Sequence, residues 1–313
     1  MTWKILITDG FEDSGIKALI SNGFVVDVLK MDSEQLSHEL PNYDGIIVRS
    51  ATKVRSELIS SCPNLKFIAR AGVGMDNIDV DFARSKGIEV LNTPASSSRS
   101  VAEIALGHML CLTRGLHRSN RELAGKDSFS KLKKELSNSN ELQGKTLFLV
   151  GLGRIGRELA KMAIGLEMKV IASDPFIDKL SIEMQLQDQT ILVPIPLVKL
   201  EYGLQLADYI SLHSPYTGKA LLDASNLSQI KNSAYIINTS RGENIDEEAL
   251  LLALHEKRIA GAGLDVYQNE PNIRPELLNH PQISVSPHIG ASTFEAQQRI
   301  AEEMVEKIIA LRK

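Results

Sequence analysis

Of 313 residues only two are cysteine, Cys62 and Cys111, far apart and each in apolar surroundings. Two isolated thiols cannot form a disulfide framework, so they are expected to be reduced core residues of a cytoplasmic protein. Long hydrophobic runs are also missing: no stretch approaches the ~18 apolar residues of a membrane span. Met1 to Ile7 offers one lysine and a very short apolar run before Asp9-Gly10, too little for a secretory leader. Charge of one sign is not in excess either. With 35 basic and 39 acidic residues the net charge is −4, and no broad positive field exists to gather nucleic acid or anionic lipid. A small-molecule substrate is expected, with no nucleic acid and no membrane as partner. What remains is 43% hydrophobic and 24% charged, a usual balance for a globular chain with a full core. The length suggests two domains.

From Lys4 short apolar runs alternate with helical patterns: KILITD, a helix over Asp13 to Asn22, FVVDVL, a helix over Asp32 to Glu39, then GIIVRS, a helix near Ser56 to Ser60, KFIARAG, a helix near Val80 to Lys86, and IEVLN. Runs of about five residues between helices predict βαβ units and a buried parallel sheet. The pattern pauses at Asn92-Thr93-Pro94. Ser96, Ser97 and Ser98 then open a long helix through Val101, Ala105 and Leu110, and the domain crossing is expected there. Glu122 to Gln143 is polar and weakly periodic, which suits a solvated loop or an arm embracing a second subunit. A second array starts at Lys145 and continues through TILVP, DYISLHSP, SAYIINTSRG, AGAGLDVY and ISVSPHIG, with Asp246 to His255 as an amphipathic helix. The last helix, Ser292 to Arg312, follows a sheet already complete at Val285 and is expected to return to the first domain. The expected fold is therefore α/β, with two doubly wound parallel-sheet domains. One would span 1–97 and 289–313, the other 98–288, with a cleft between them.

The most informative stretch is Lys145 to Asp174. An apolar run leads into Gly151-Leu152-Gly153-Arg154-Ile155-Gly156, followed by a helical pattern and a second apolar run ending in Asp174-Pro175. Gly151 suits the tight turn, Gly153 the approach of backbone to a pyrophosphate, and Gly156 close helix packing. The helix start, with Arg154 and Ile155, offers free N–H groups to that pyrophosphate. Asp174, about 18 residues on, can accept from a ribose 2′-hydroxyl and would repel a 2′-phosphate, which favours NAD over NADP.

In open α/β sheets ligands lie beyond the carboxyl ends of strands. The residues there are Arg49-Ser50, Arg70 through Gly72-Val73-Gly74, His213-Ser214-Pro215, Asn238-Thr239-Ser240-Arg241-Gly242, Asp265 and Ser286-Pro287-His288. Hydrogen transfer between a nicotinamide and a hydroxy acid needs a proton shuttle and a cation for the carboxylate. Arg241 can grip a carboxylate in fork geometry, His288 titrates near neutrality, and Glu270 can partner His288. Each also has a bland alternative as a surface charge, a packed imidazole or a turn. His213 suits cofactor contact or packing, and His38, His108, His117, His255 and His280 suit structural roles.

The ordered motifs VRSATKV, RAGVGMDNID, NTP, SVAE, VGLGRIG, NTSRG, LDVYQNEP and SPHIGASTFEAQ span essentially the whole chain. On them the chain resembles the D-isomer-specific 2-hydroxyacid dehydrogenases, and within that family the phosphoglycerate-oxidising branch. The resemblance implies a Rossmann-type NAD domain inserted in a flavodoxin-like substrate domain. It implies Arg241 on the substrate carboxylate, His288 as acid/base and Glu270 as its partner. Asp265, Thr239, Ser240 and Gly290 would lie near the nicotinamide, and Thr217 with the His213–Pro215 run along the dinucleotide. The Gly72-Val73-Gly74 backbone would receive the substrate carboxylate, and Arg49, Ser50 and Arg70 its phosphate. The implied reaction is NAD-dependent oxidation of D-3-phosphoglycerate to 3-phosphohydroxypyruvate, by a homodimer or higher homo-oligomer. Alternatives are glyoxylate/hydroxypyruvate or erythronate 4-phosphate as substrate, or, more remotely, a corepressor-like NAD(H) sensor. Two departures stand out: Ser97 where the family usually has Asn, and a short loop after Thr217. Larger members append a regulatory domain, and a chain that stops at Lys313 is expected to lack that control.

Overall fold

A computed structural model describes residues 2–312, which divide into two compact units, 2–98 with 291–312, and Arg99–Gly290. The first unit runs β1 (Lys4–Ile7), α1 (Asp13–Ser21), β2 (Val25–Val28), α2 (Ser33–Glu39), β3 (Gly45–Val48), α3 (Ser56–Ser60), β4 (Phe67–Arg70), α4 (Val80–Ser85) and β5 (Glu89–Asn92). The five strands are parallel in the order β2-β1-β3-β4-β5. β3 is buried along its whole length, as its unbroken apolar run requires in a sheet covered on both faces. One face packs Leu36, Ile46, Val48 and Ile68; the other packs Ile5, Ile7, Ile47 and Phe67 against Ile300, Met304 and Ile308 of the final helix, Phe294–Leu311. That helix begins where the Thr293 side chain accepts from the Ala296 N–H. Strand order reverses between β1 and β3, so the residues after these two strands border the crevice of this sheet.

The second unit contains α5 (Ser98–Thr113), whose first residue belongs to the other unit, then α6 (Leu116–Glu122), α7 (Lys126–Glu135), β6 (Thr146–Val150), α8 (Arg154–Gly165), β7 (Lys169–Ser173), β8 (Leu180–Leu186), β9 (Gln189–Ile195), α9 (Leu200–Leu206), β10 (Tyr209–Leu212), α10 (Ala224–Leu227), β11 (Tyr235–Asn238), α11 (Glu247–His255), β12 (Gly261–Leu264), α12 (Pro275–Leu278) and β13 (Ile283–Val285). Its parallel sheet runs β13-β12-β11-β10-β6-β7. The order reverses between β6 and β10, which puts the glycine turn after β6 at the switch point.

Two expectations from sequence fail. Thr190 to Pro194 does not join the parallel sheet. It lies in β9, paired antiparallel with β8 across the two-residue turn Gln187-Asp188, where Gln187 has φ +54. A two-residue connection can join only antiparallel strands, and Pro194 and Pro196 lack the N–H groups a sheet interior would use. Only Leu197, just beyond, bridges β7, at Ala172. Likewise Glu122 to Gln143 is not one solvated loop. It holds the last residue of α6 and the whole of α7, and Arg118 of α6 donates to Glu122 at 2.9 Å and to Glu135 of α7 at 2.6 Å, while Leu132 is buried. Charged residues on the outer face mask the period of such a helix.

Candidate active site

β6 delivers the chain to Gly151, which takes φ +97; a Cβ there would lie 2.7 Å from Ser214 Oγ. Gly153 is the N-cap of α8 and no side chain caps that helix. A Cβ on Gly153 would meet nothing within 4 Å, so the space before the uncapped N–H groups of Arg154, Ile155 and Gly156 is open to an anion. A Cβ on Gly156 would lie 2.4 Å from the Gly151 carbonyl oxygen, so the third glycine packs α8 on the turn itself rather than on a strand. Asp174 closes the cradle at the end of β7. Its carboxylate accepts the Leu152 N–H at 2.8 Å and the Phe176 N–H at 2.9 Å, with further lone pairs left for hydroxyls. Pro175 beside it is exposed.

Next along the sheet, His213 follows β10 and Thr239 follows β11. His213 receives or donates at Nε2 to Ser211 Oγ at 2.9 Å, and burial pushes its pKa down to about 4, so it is a neutral imidazole. Its Nδ1 and the Thr239 hydroxyl are buried polar atoms with no protein partner. Native proteins rarely leave such atoms unpaired, and two of them just after the neighbouring strands β10 and β11 fit a polar group supplied from outside. Ser214 is tied back through Oγ to the Val150 carbonyl at 3.0 Å and through its own carbonyl to Asn244 Nδ2 at 2.8 Å. Pro215 and Thr217 are exposed. Ser240 is oriented by Asn238 Oδ1, which accepts both its N–H and its hydroxyl.

At the same end of the sheet, the turns after β12 and β13 bring Glu270 and His288 together. His288 Nδ1 lies 2.6 Å from Glu270 Oε2, while Oε1 of that carboxylate accepts the Tyr267 N–H at 2.9 Å. An ionised carboxylate only accepts, so Nδ1 carries a proton and Nε2 is the position that gains or loses one. The Glu270 hydrogen bond raises the His288 pKa above its usual value, opposed by burial and by the Arg241 charge. Glu270 itself is pushed up by burial, but the His288 hydrogen bond and charge, the Tyr267 N–H and Arg241 outweigh this and hold it below the usual range. Arg241 thus lies within electrostatic reach of both. His288 has φ +53, a left-handed conformation uncommon outside glycine and often found at functional sites.

Three packing features set this geometry. A Cβ on Gly242 would lie 2.0 Å from the Tyr267 carbonyl carbon, so the segment carrying Arg241 rests directly on the backbone leading to Glu270. The single hydroxyl proton of Tyr267 is shared between the Leu264 and Ser286 carbonyls, both 2.9 Å from its oxygen. Asp265, 1% exposed, accepts Ser286 Oγ, Ile289 N and Gly290 N at 2.5, 2.9 and 2.9 Å. Three of its roughly four acceptor positions are used, leaving one on Oδ2. Gly242 and Ser286 stood among the strand-end residues in the sequence, but their packing roles and that of Tyr267 had no signal there, because each acts through backbone or across strands.

The remaining sequence-derived candidates sit together on the first unit. Arg49 and Arg70 leave neighbouring strands, with Val48 paired to Arg70. The Arg49 N–H donates to Asp9 Oδ2 at 2.8 Å, and Thr52 donates its N–H and hydroxyl to the same carboxylate. Asp9, at the end of the first strand's run, was not singled out from sequence, yet it organises the loop with Arg49 and exposed Ser50. The Arg70 guanidinium crosses Gly72, where a Cβ would fall 1.7 Å from Nη1. Asn92 Nδ2 holds the Val73 carbonyl at 2.7 Å, and Gly74 follows in a partly exposed loop.

Comparison with known proteins agrees with this cradle. Residues 106–290 match the model of the D-isomer specific 2-hydroxyacid dehydrogenase NAD binding domain. The chain is 42% identical over 283 residues to a hydroxypyruvate reductase of Thermotoga maritima, covering 89% of this chain and 88% of that enzyme. It is 38% identical over 310 residues to the D-3-phosphoglycerate dehydrogenase of Homo sapiens, covering 98% of this chain and 56% of that one, so it spans little more than half the length of such relatives. Among solved structures, the TT0316 protein of Thermus thermophilus superposes with a TM-score of 0.84 at 31% identity, over 99% of this chain and 96% of the other. A glyoxylate reductase from Paecilomyes thermophila gives 0.85 at 27%, over 100% and 96%. Among the described residues no helix is long and apolar enough to cross a membrane. Because the matched domain covers more than half the chain and contains the whole glycine cradle, the chain belongs to the D-isomer specific 2-hydroxyacid dehydrogenases and is an oxidoreductase whose cofactor is NAD.

Proposed function

We propose that the chain oxidises D-3-phosphoglycerate to 3-phosphohydroxypyruvate. The observation that carries the chemistry is the 2.6 Å His288–Glu270 pair within electrostatic reach of Arg241. Arg241 holds the C1 carboxylate in fork geometry. His288 Nε2 takes the C2 hydroxyl proton, and Glu270 stabilises the resulting imidazolium through Nδ1–H. Bound NAD supplies the acceptor for the hydrogen that leaves C2 with its electron pair. Leu152 to Gly156 hold the pyrophosphate, Asp174 the ribose, and His213, Thr239 and Asp265 the nicotinamide half. For the substrate phosphate the support is Arg49 and Arg70 on adjacent strand ends beside the Gly72–Gly74 loop. Leu110, Leu116, Leu123 and Phe129 are exposed along α5 to α7, which supports a homodimer joined through that segment.

A second reading, reduction of hydroxypyruvate, is favoured by the 42% identical relative of nearly equal length and by the raised His288 pKa, which keeps more of the ring in the protonated form that reduction needs at neutral pH. Arg49→Ala separates the two in an NADH-absorbance assay. It should raise KM at least ~10-fold for the phosphorylated acid, since a charge-assisted contact is lost, and leave the plain acid nearly unchanged. Equal effects on both would remove Arg49 from phosphate recognition.

A further inference from the structure

One buried polar cluster of the second unit is not used by this chemistry. His108 of α5 is 5% exposed, with Nδ1 2.9 Å from Ser284 Oγ and Nε2 2.9 Å from Ser286 Oγ. The neighbouring strand is cut back to admit the ring: a Cβ on Gly263 of β12 would lie 2.6 Å from His108 Cβ and 2.9 Å from Cγ. The directions of the hydrogen bonds follow from chemistry. Ser286 has one hydroxyl proton, and it goes to Asp265 Oδ1 at 2.5 Å. Ser286 Oγ therefore accepts from His108, which places a proton on Nε2. Burial keeps the ring neutral by lowering its pKa against the opposing pull of Asp265, so Nδ1 is bare and accepts from the Ser284 hydroxyl. The chain runs one way, from Ser284 through His108 and Ser286 to Asp265. Asp265 then holds the Ile289 and Gly290 N–H groups immediately after His288.

We propose that His108 is a positioning residue for catalysis: through Ser286 and Asp265 it holds the 286–290 loop so that His288 keeps its left-handed backbone and its Nδ1 on Glu270. This rests on the reading of His288 as the acid/base. A loop freed at Ser286 retains the pyrophosphate and ribose cradle, which lies on β6 and β7, but loses aim at the reacting atoms, and small misplacements there are costly.

The test uses the full chain. His108→Leu should lower kcat by ~10-fold or more, with NADH affinity and substrate KM within ~2-fold. His108→Gln, whose amide can still donate to Ser286, should recover most of the loss. Ser286→Ala should reproduce the loss, and the His108→Leu/Ser286→Ala double variant should be no worse than either alone, because both cut one chain. Unchanged kcat in His108→Leu, equal loss in Leu and Gln variants, or additive losses would each overturn the proposal. Nitrogen NMR of labelled histidine reads the chain without turnover: a His108 tautomer protonated at Nε2 is expected, and one protonated only at Nδ1 overturns it. If the wild type turns over no 2-hydroxy or 2-keto acid, the functional reading fails, and the NMR result alone decides the hydrogen-bond chain.

Discussion

Gly242→Ala isolates the contact that brings the arginine to the carboxylate–imidazole pair. The added methyl would start 2.0 Å from the Tyr267 carbonyl carbon, 2.2 Å from its oxygen and 2.4 Å from Gln268 N. All three are backbone atoms, and ordinary contact begins near 3.4 Å, so one segment must retreat by roughly 1.4 Å; overpacking of this kind costs ~1–3 kcal/mol. At ~2 kcal/mol a unit of this size should lose ~4–8 °C in Tm. The larger effect is on turnover. Retreat separates Arg241 from the turn carrying Glu270, and a misplacement of ~1 Å costs on the order of 10²-fold. Because the glycine cradle lies elsewhere on the sheet, NADH affinity should stay within ~3-fold. Calorimetry, fluorescence titration of NADH and steady-state kinetics measure the three quantities. A variant with wild-type Tm and kcat/KM would refute the claim that this packing sets the site.

Glu270→Gln should move the pH dependence in a stated direction. The carboxylate raises the His288 pKa; an amide can still accept from Nδ1 but carries no charge, so the pKa falls. Oxidation needs neutral His288 and rises with pH through that pKa, so its midpoint should shift to lower pH, while reduction, which needs the protonated ring, should fade at lower pH; unmoved midpoints would detach Glu270 from His288. The exposed apolar residues of α5 to α7 should be covered by a second copy. Light scattering should find a dimer that Leu116→Glu with Phe129→Glu weakens, and a monomeric wild type would dismiss the pairing.

The sequence by itself determined the elements whose physics is local. Apolar runs of about five residues between helices specified both parallel sheets, because strands buried on both faces have no polar alternation. Glycine spacing and Asp174 specified the nucleotide turn, because backbone freedom and an uncapped helix start depend on nearby residues. The β8–β9 hairpin and the α6–α7 pair escaped this reading, because two-residue turns without glycine and helices with charged faces carry weak local signals.

Tertiary structure decided everything that needed residues distant in the chain to meet. Glu270 and His288 touch because two strand-end turns lie side by side, and Arg241 reaches them because Gly242 rests on the Tyr267 backbone. His108 looks like any helical histidine in sequence. It acquires two partners and a fixed proton only because Gly263 leaves room for its ring over a neighbouring strand, and no spacing of residues along the chain encodes that vacancy.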